Sequence, residues 1–256
     1  MMAPITATSV LPAQREPVTL RTSDGLRLIG ELALPESGPP AGLIVCLHPL
    51  TTHGGMMDSH VFRKAAWRLP ALAGIGVLRF NMRGAVSAAG ASEGAFDECR
   101  GEGLDLAAAL AFVGARELPA PWLVGWSFGT DVTLRYGNVD PVRGAILLSP
   151  PLRYTQPEEL LPWAVSGRPL VALVPEYDDY VRPAEAAERF ASVPQAEVVG
   201  IPDGRHLWVG ERFVREALDQ IVARVCPGHG SLPTDWDGPM EKFTETAAVD
   251  AAEDVR

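Results

Sequence analysis

Apolar positions along the chain fall into short unbroken runs, separated by longer stretches in which they recur at helical spacing. "PVTLRT" and "LRLIGELAL" flank Ser23-Asp24-Gly25. An Asp-Gly pair between two such runs predicts a hairpin, because it adopts a tight turn with φ > 0. Six runs follow: "GLIVCLHP", "GIGVLRFN", "PWLVGWS", "GAILLSP", "PLVALVPE" and "AEVVGIP". Each is rich in Val, Leu and Ile on consecutive positions, the pattern of strands buried on both faces of a parallel sheet. Between them lie helical stretches. "HVFRKAAWRLPALAG" carries Pro70, which predicts an early break. "EGLDLAAALAFVGA" is rich in Ala and Leu, "FGTDVTLRYGN" closes on Gly-Asn, "PAEAAERFAS" opens on Pro183, and "WVGERFVREALDQIVARV" has apolar residues at helical spacing. A hairpin followed by repeated βα units predicts one α/β domain over residues 15–226, with a mostly parallel sheet of about eight strands and helices on both faces. Residues 1–14 read as a flexible N-terminus.

Composition adds limits to this picture. With 256 residues, 47% of them hydrophobic, the chain builds a full core without disulfide staples. The three cysteines, at 46, 99 and 226, are odd in number and lack zinc-site spacing; Cys46, inside "GLIVCLHP", reads as a core thiol. The net charge of −10 argues against a nucleic-acid surface. No basic leader precedes an apolar stretch in "MMAPITATSVLPAQREPVTL", and no run approaches the roughly 18 apolar residues of a membrane span. The expectation is a cytoplasmic protein with neither membrane nor nucleic acid as partner; oligomeric state is not readable. Half of the net negative charge comes from residues 227–256, which hold seven Asp/Glu against two Lys/Arg. That segment reads as an acidic, flexible tail in which Trp236, Met240 and Phe243 are possible anchors.

Two stretches match Gly-x-Ser-x-Gly: "GWSFG" at 125–129 and "GASEG" at 90–94. Chance predicts roughly 0.1 matches at this composition, so at least one has a reason. A nucleophilic serine at such a motif needs a strand running into it and a helix leaving it, so that Oγ projects beyond the strand's carboxyl end. "PWLVGWSFGTDVTLRY" meets that need at Ser127. The amide of Phe128 then points from a helix N-terminus, where partial positive charge favours an oxyanion. "GASEG" follows the small, flexible "RGAVSAA", and Glu93 would put an anion beside any developing oxyanion. Ser92 therefore reads as part of a loop.

A serine hydroxyl needs a neighbouring base. His229 lies in the tail, His60 at a helix start, and His53 in the loop "TTHGG"; His48 ends the third strand and reads as structural. His206 follows the last strand in "IPDGRHLW" and precedes the last helix. An acid to orient it should lie on the loop "PEYDDYVRP", which offers Glu176, Asp178 and Asp179. Asp203 reads as a turn residue in "PDG". The second oxyanion donor should come from "HPLTTHGG" after the third strand. Pro49 has no N–H, which leaves the amide of Leu50, with Thr51 next.

Taken together, "HPL", "LRFNMRG", "GWSFG", "PEYDDYVRP" and "DGRH" resemble the α/β-hydrolase superfamily over roughly residues 15–225. The chain is similar in particular to small bacterial serine hydrolases that carry an Arg-Phe-Asn-x-Arg-Gly segment, here Arg79–Gly84, then Ser-x-Gly-x-Phe-Asp, here Ser92–Asp97, then "GEGLD". The resemblance implies an α/β-hydrolase fold with a minimal cap, since "PLRYTQPEELLPWAVSGRP" has room for one short helix. The family's order of serine, acid, then histidine selects His206. Matching Val181 and Pro183 to the family's acid loop selects Asp178 over Asp179. Pro175 stands where relatives have glycine, and "VSAA" at 86–89 resembles an insertion.

The resemblance implies a carboxylic ester hydrolase working through Ser127, His206 and Asp178, with an oxyanion hole at Phe128 and Leu50 and no metal or organic cofactor. Its partner would be a small ester or acyl substrate. Trp126, Trp163 and Trp208 are possible pocket walls, with ordinary core packing as the competing reading. Two other functions fit the same residues: a non-catalytic scaffold, and acyl transfer to an acceptor other than water.

Overall fold

In the computed structural model, residues 2–243 are described. The predicted hairpin is formed by β1 (Gln14–Arg21) and β2 (Arg27–Leu34), paired antiparallel, with the turn relieved by Gly25 at φ +90°. Val18 and Leu20 alternate with exposed neighbours in β1, as a strand with one covered face requires.

The apolar runs form β3 (Gly42–Leu47), β4 (Ile75–Phe80), β5 (Trp122–Trp126), β6 (Gly144–Leu148), β7 (Leu170–Pro175) and β8 (Ala196–Ile201). The sheet order is β1-β2-β4-β3-β5-β6-β7-β8. β2 runs antiparallel to both of its neighbours, and the remaining pairs are parallel. Every residue of β3 to β7 is buried. β8 departs from the expectation of burial on both faces. It is the edge strand, flanked by β7 alone, and only Ile201 is buried.

The helices are α1 (His60–Ala73), α2 (Glu102–Ala115), α3 (Phe128–Tyr136), α4 (Leu161–Ser166), α5 (Pro183–Arg189) and α6 (Glu211–Val225). Two-residue periodicity divides them between two cores. Leu43, Val45 and Leu47 of β3 pack with residues of α2, α3 and α5. Ile44 and Cys46 of the same strand pack with α1 and α6 on the opposite face.

Pro70 does not break α1. The carbonyl of Ala66, which a residue other than proline would satisfy from position 70, accepts instead from Arg15 Nη2 at 3.2 Å. A side chain from the neighbouring segment thus takes over the lost hydrogen bond.

The ends of the domain also differ from expectation. Residues 1–14, read as flexible, and the segment read as a flexible tail from 227 pair with each other. Ala3–Pro4 pairs with Asp235–Trp236, and Ser9–Val10 with Glu241–Lys242, both antiparallel. Leu11 and Leu232 are buried, and the ring of Phe243 lies 5.1 Å from that of Trp67. Phe243 and Trp236, offered as anchors, take part in these contacts, whereas the polar flanking residues gave no sign of the pairing with residues 3–10. The rest of the acidic stretch, 244–256, lies outside the described residues. No described helix is long and apolar enough to cross a membrane.

Candidate active site

β5 ends at Trp126 and α3 begins at Phe128, so Ser127 alone makes the turn. It does so at φ +51°, ψ −120°, a region that costs a non-glycine residue on the order of 1–3 kcal/mol. The turn is held from both sides. The Ser127 amide donates to the Leu148 carbonyl at 2.9 Å, and its own carbonyl accepts from the amide of Thr130 at 2.8 Å and from its hydroxyl at 2.6 Å. Both glycines of the motif answer to close approach. A Cβ at Gly125 would lie 2.6 Å from the Gly129 carbonyl oxygen, and one at Gly129 would lie 1.9 Å from that of Leu47.

The histidine and acid loops converge on this turn. Ser127 Oγ lies 2.8 Å from His206 Nε2, and His206 Nδ1 lies 2.9 Å from Asp178 Oδ2. With Nδ1–H donating to the carboxylate, Nε2 is left to accept the serine proton. Asp178 is buried, whereas Asp179 is exposed. Burial alone would raise the Asp178 pKa. The hydrogen bonds from His206 and from the Tyr180 amide outweigh it and hold the carboxyl below its ordinary range. Trp126 Nε1 and Ser149 Oγ each donate to the His206 carbonyl at 3.2 Å, and Trp208 Nε1 donates to Ser149 Oγ at 2.9 Å. The Tyr180 ring lies against the imidazole, tilted by 57° at 4.6 Å between centroids.

Ser127 and His206 open onto a cavity of about 300 Å³. Leu50 and Phe128 line it, and neither amide donates to another group among the described residues. The other apolar walls are Pro49, Pro151, Tyr154, Tyr180 and Leu207, and the polar ones are His53, Asp131 and Arg153. The three tryptophans are not walls. Trp126, Trp163 and Trp208 are all at most 2% exposed and lie in the core. Their indole N–H groups are spent on carbonyls or a hydroxyl beneath the site, that of Trp163 on Leu134 at 2.9 Å. Between β6 and β7 the chain forms only a single turn at Pro157–Leu160 and the short α4, and no residue of either lines the cavity.

A solved α/β serine hydrolase without lid from Xanthomonas campestris is 29% identical to this chain, with a TM-score of 0.67 over 86% of this chain and 98% of its own. The chain has the α/β-hydrolase fold. An α-β serine hydrolase homologue from Coxiella burnetii (23% identical, TM-score 0.68, covering 82% of this chain and 97% of that one) shares the fold. So does an esterase from Pyrococcus furiosus (20% identical, TM-score 0.67, covering 85% and 94%). No protein-family model matches the chain, and no curated protein matches it significantly.

Within this α/β-hydrolase fold the second serine has a structural post. Ser92 Oγ donates to the Asn81 carbonyl at 2.7 Å and accepts from the Ile29 amide at 3.0 Å, pinning the loop after β4 to β2. "VSAA" forms the tip of a small hairpin, with Val86–Ser87 paired to Gly90–Ala91. His48 accepts from the Met82 amide through Nε2 at 2.9 Å and donates from Nδ1 to the Pro49 carbonyl at 2.7 Å. Burial pushes its pKa down to about 4, partly offset by that carbonyl, so it is a neutral tie beneath the Leu50 loop. His60, at the start of α1, is half-buried and bonds the Trp208 carbonyl at 3.1 Å.

Sequence reasoning missed Ser149, Tyr180 and Asp131. Ser149 ends a buried strand at φ +51°, and no pattern in the sequence marks it. Asp131, in the first turn of α3, is the one carboxyl of that helix, a signal the sequence carries. Among the described residues no group of three or more His, Cys, Asp or Glu converges in the manner of a metal site.

Proposed function

We propose that the protein is a serine hydrolase of carboxylic esters acting through an acyl-enzyme. One observation carries the reading: the hydrogen-bonded line Ser127 Oγ, His206 Nε2, His206 Nδ1, Asp178 Oδ2, opening at its serine end onto a cavity with two uncommitted amides. Similarity to a serine hydrolase at 29% identity supports it.

In this mechanism Ser127 Oγ attacks the ester carbonyl carbon while its proton passes to His206 Nε2. The carbonyl oxygen becomes an oxyanion and accepts hydrogen bonds from the Phe128 and Leu50 amides, which donate to no other group among the described residues. Asp178 keeps the imidazole in the tautomer that accepts at Nε2 and offsets the charge of the imidazolium. Collapse of the tetrahedral adduct breaks the C–O bond to the alcohol, which leaves with the proton from Nε2. Water then attacks the acyl-serine, gives a proton to Nε2, and the acid departs as Ser127 recovers that proton.

The test is a panel of p-nitrophenyl esters and a fluorophosphonate probe applied to wild type and Ser127→Ala. The expected result is turnover and labelling that both vanish in the variant. Full esterase activity in Ser127→Ala, or labelling at Ser92, would overturn the reading.

A further inference from the structure

Asp131 stands at the cavity with half of its carboxylate unused. It lies on α3, one helical turn after Ser127, and is 0% exposed. Oδ1 is saturated: it accepts from the Tyr154 amide at 3.0 Å, the Thr155 amide at 2.9 Å and the Thr155 hydroxyl at 2.7 Å. Oδ2 is buried and accepts from no group among the described residues. A buried carboxylate oxygen without a donor is costly, and such groups in folded proteins call for an explanation.

Anchoring the 154–155 segment does not explain it. Three donors on a single oxygen would be served as well by an asparagine, which would remove the negative charge. What the carboxylate adds is a second acceptor, on a residue that lines the cavity holding Ser127 and His206. Around it the cavity is lined mainly by Leu50, Phe128, Pro151 and Tyr154, none of which offers a side-chain amide or cation to Oδ2. Arg153, the nearby cation, is exposed, with its guanidinium over the Tyr154 ring. Burial raises the Asp131 pKa against the pull of its hydrogen bonds with the Thr155 side chain and the backbone of residues 153–155, so the carboxylate is held at a cost that a further donor would relieve.

We infer that Asp131 is a specificity-determining residue: the preferred esters carry a hydrogen-bond donor, a hydroxyl or an ammonium group, a few bonds from the scissile carbonyl, and this donor is received by Asp131 Oδ2. The inference rests on the hydrolase reading above and narrows its substrate class. Apolar isosteres fit the same space but leave Oδ2 bare. A site built to receive a hydroxyl or amine discriminates far more strongly against the analogue that lacks it than an apolar pocket discriminates by size.

The experiment compares matched pairs: p-nitrophenyl β-hydroxybutyrate and β-aminobutyrate against their methyl isostere, p-nitrophenyl isovalerate, and hydroxyethyl butyrate against propyl butyrate. In wild type, kcat/KM for at least one donor-bearing ester exceeds that of its isostere by about tenfold or more. In Asp131→Asn the ratio collapses toward one. In Thr155→Val, which removes a donor from Oδ1 only, it persists. The hydroxyl and ammonium arms distinguish the two kinds of donor. If Asp131→Asn does not fold, inhibition of wild type by the N-methyl amides of the same acids and by the amides matching the alcohol pair reads the preference directly. A wild-type ratio at or below one in every pair, or a ratio unchanged in Asp131→Asn, overturns the inference. Loss of isovalerate turnover in Ser127→Ala reports on the hydrolase reading separately, whatever the ratio.

Discussion

Gly129 and Leu47 touch with no room for a side chain. A Cβ on Gly129 would lie 1.9 Å from the Leu47 carbonyl oxygen, so the first turn of α3 is set directly on the end of β3. Gly129→Ala should therefore displace the Ser127 turn. A shift near 1 Å at a nucleophile costs about 10²-fold in rate, and the expected result is a loss of ester turnover of at least that order. Gly114→Ala is the contrasting case. It is exposed in α2 with nothing within 4 Å of its Cβ, and it should stabilise by about 0.5–1 kcal/mol in a urea melt.

Asp178 and Asp179 are adjacent but opposite in setting. Asp178→Asn keeps the shape of the site and removes the acceptor that holds the His206 tautomer. Loss of kcat on the order of 10⁴-fold is expected, by the behaviour of other serine triads. Asp179→Asn, on an exposed side chain, should leave kcat within about twofold, as surface changes do. Steady-state kinetics on the two variants with one activated ester decides between them.

Ser92 joins two segments through a hydroxyl that both donates and accepts. Ser92→Ala strands the part-buried Ile29 amide and the buried Asn81 carbonyl. The expected cost is about 1–3 kcal/mol, visible as a Tm lowered by roughly 2–4 °C for each kcal/mol. Fluorophosphonate labelling of the folded variant should be undiminished, because the proposed nucleophile is Ser127.

His48 links stability to pH. In the folded protein it loses its proton at about pH 4, against an ordinary value of 6.5. Between those values the unfolded chain binds the extra proton, so folding weakens as pH falls from 6.5 toward 4, by up to about 3 kcal/mol. The buried carboxyls Glu102 and Asp105 are pushed upward and act with the opposite sign. The difference between proteins isolates the effect. His48→Gln, able to accept from Met82 and donate to Pro49, should show a flatter decline in Tm over that range than wild type.

The sheet was legible because β3 to β7 are apolar runs, broken only by Arg79 in β4, bounded by turn residues, and burial on both faces demands that pattern. Ser127 was legible only through its neighbours, a strand before it and a helix after it; the five letters around Ser92 were equally good. What escaped was lateral. The three tryptophans were offered as cavity walls, yet their size gives each the larger gain from the core, and spacing says nothing about which layer a large aromatic joins. Asp131, Tyr180 and Ser149 meet their partners through hydrogen bonds or ring contacts between segments distant in sequence, which no period encodes. The ribbons at residues 3–10 and 235–242 are two residues per strand, too short for any alternation to register.

Those ribbons set an order of assembly. Nearly the whole described chain lies between the halves of each pairing, so closing them from an open chain carries a heavy entropic penalty that falls once the sheet has formed. They close late, on a surface the sheet provides. Contacts made so late are absent from the folding transition state and act on the rate of unfolding. A change at Leu232 or Phe243 thus shortens the lifetime of the folded molecule and leaves the time it needs to fold unaltered.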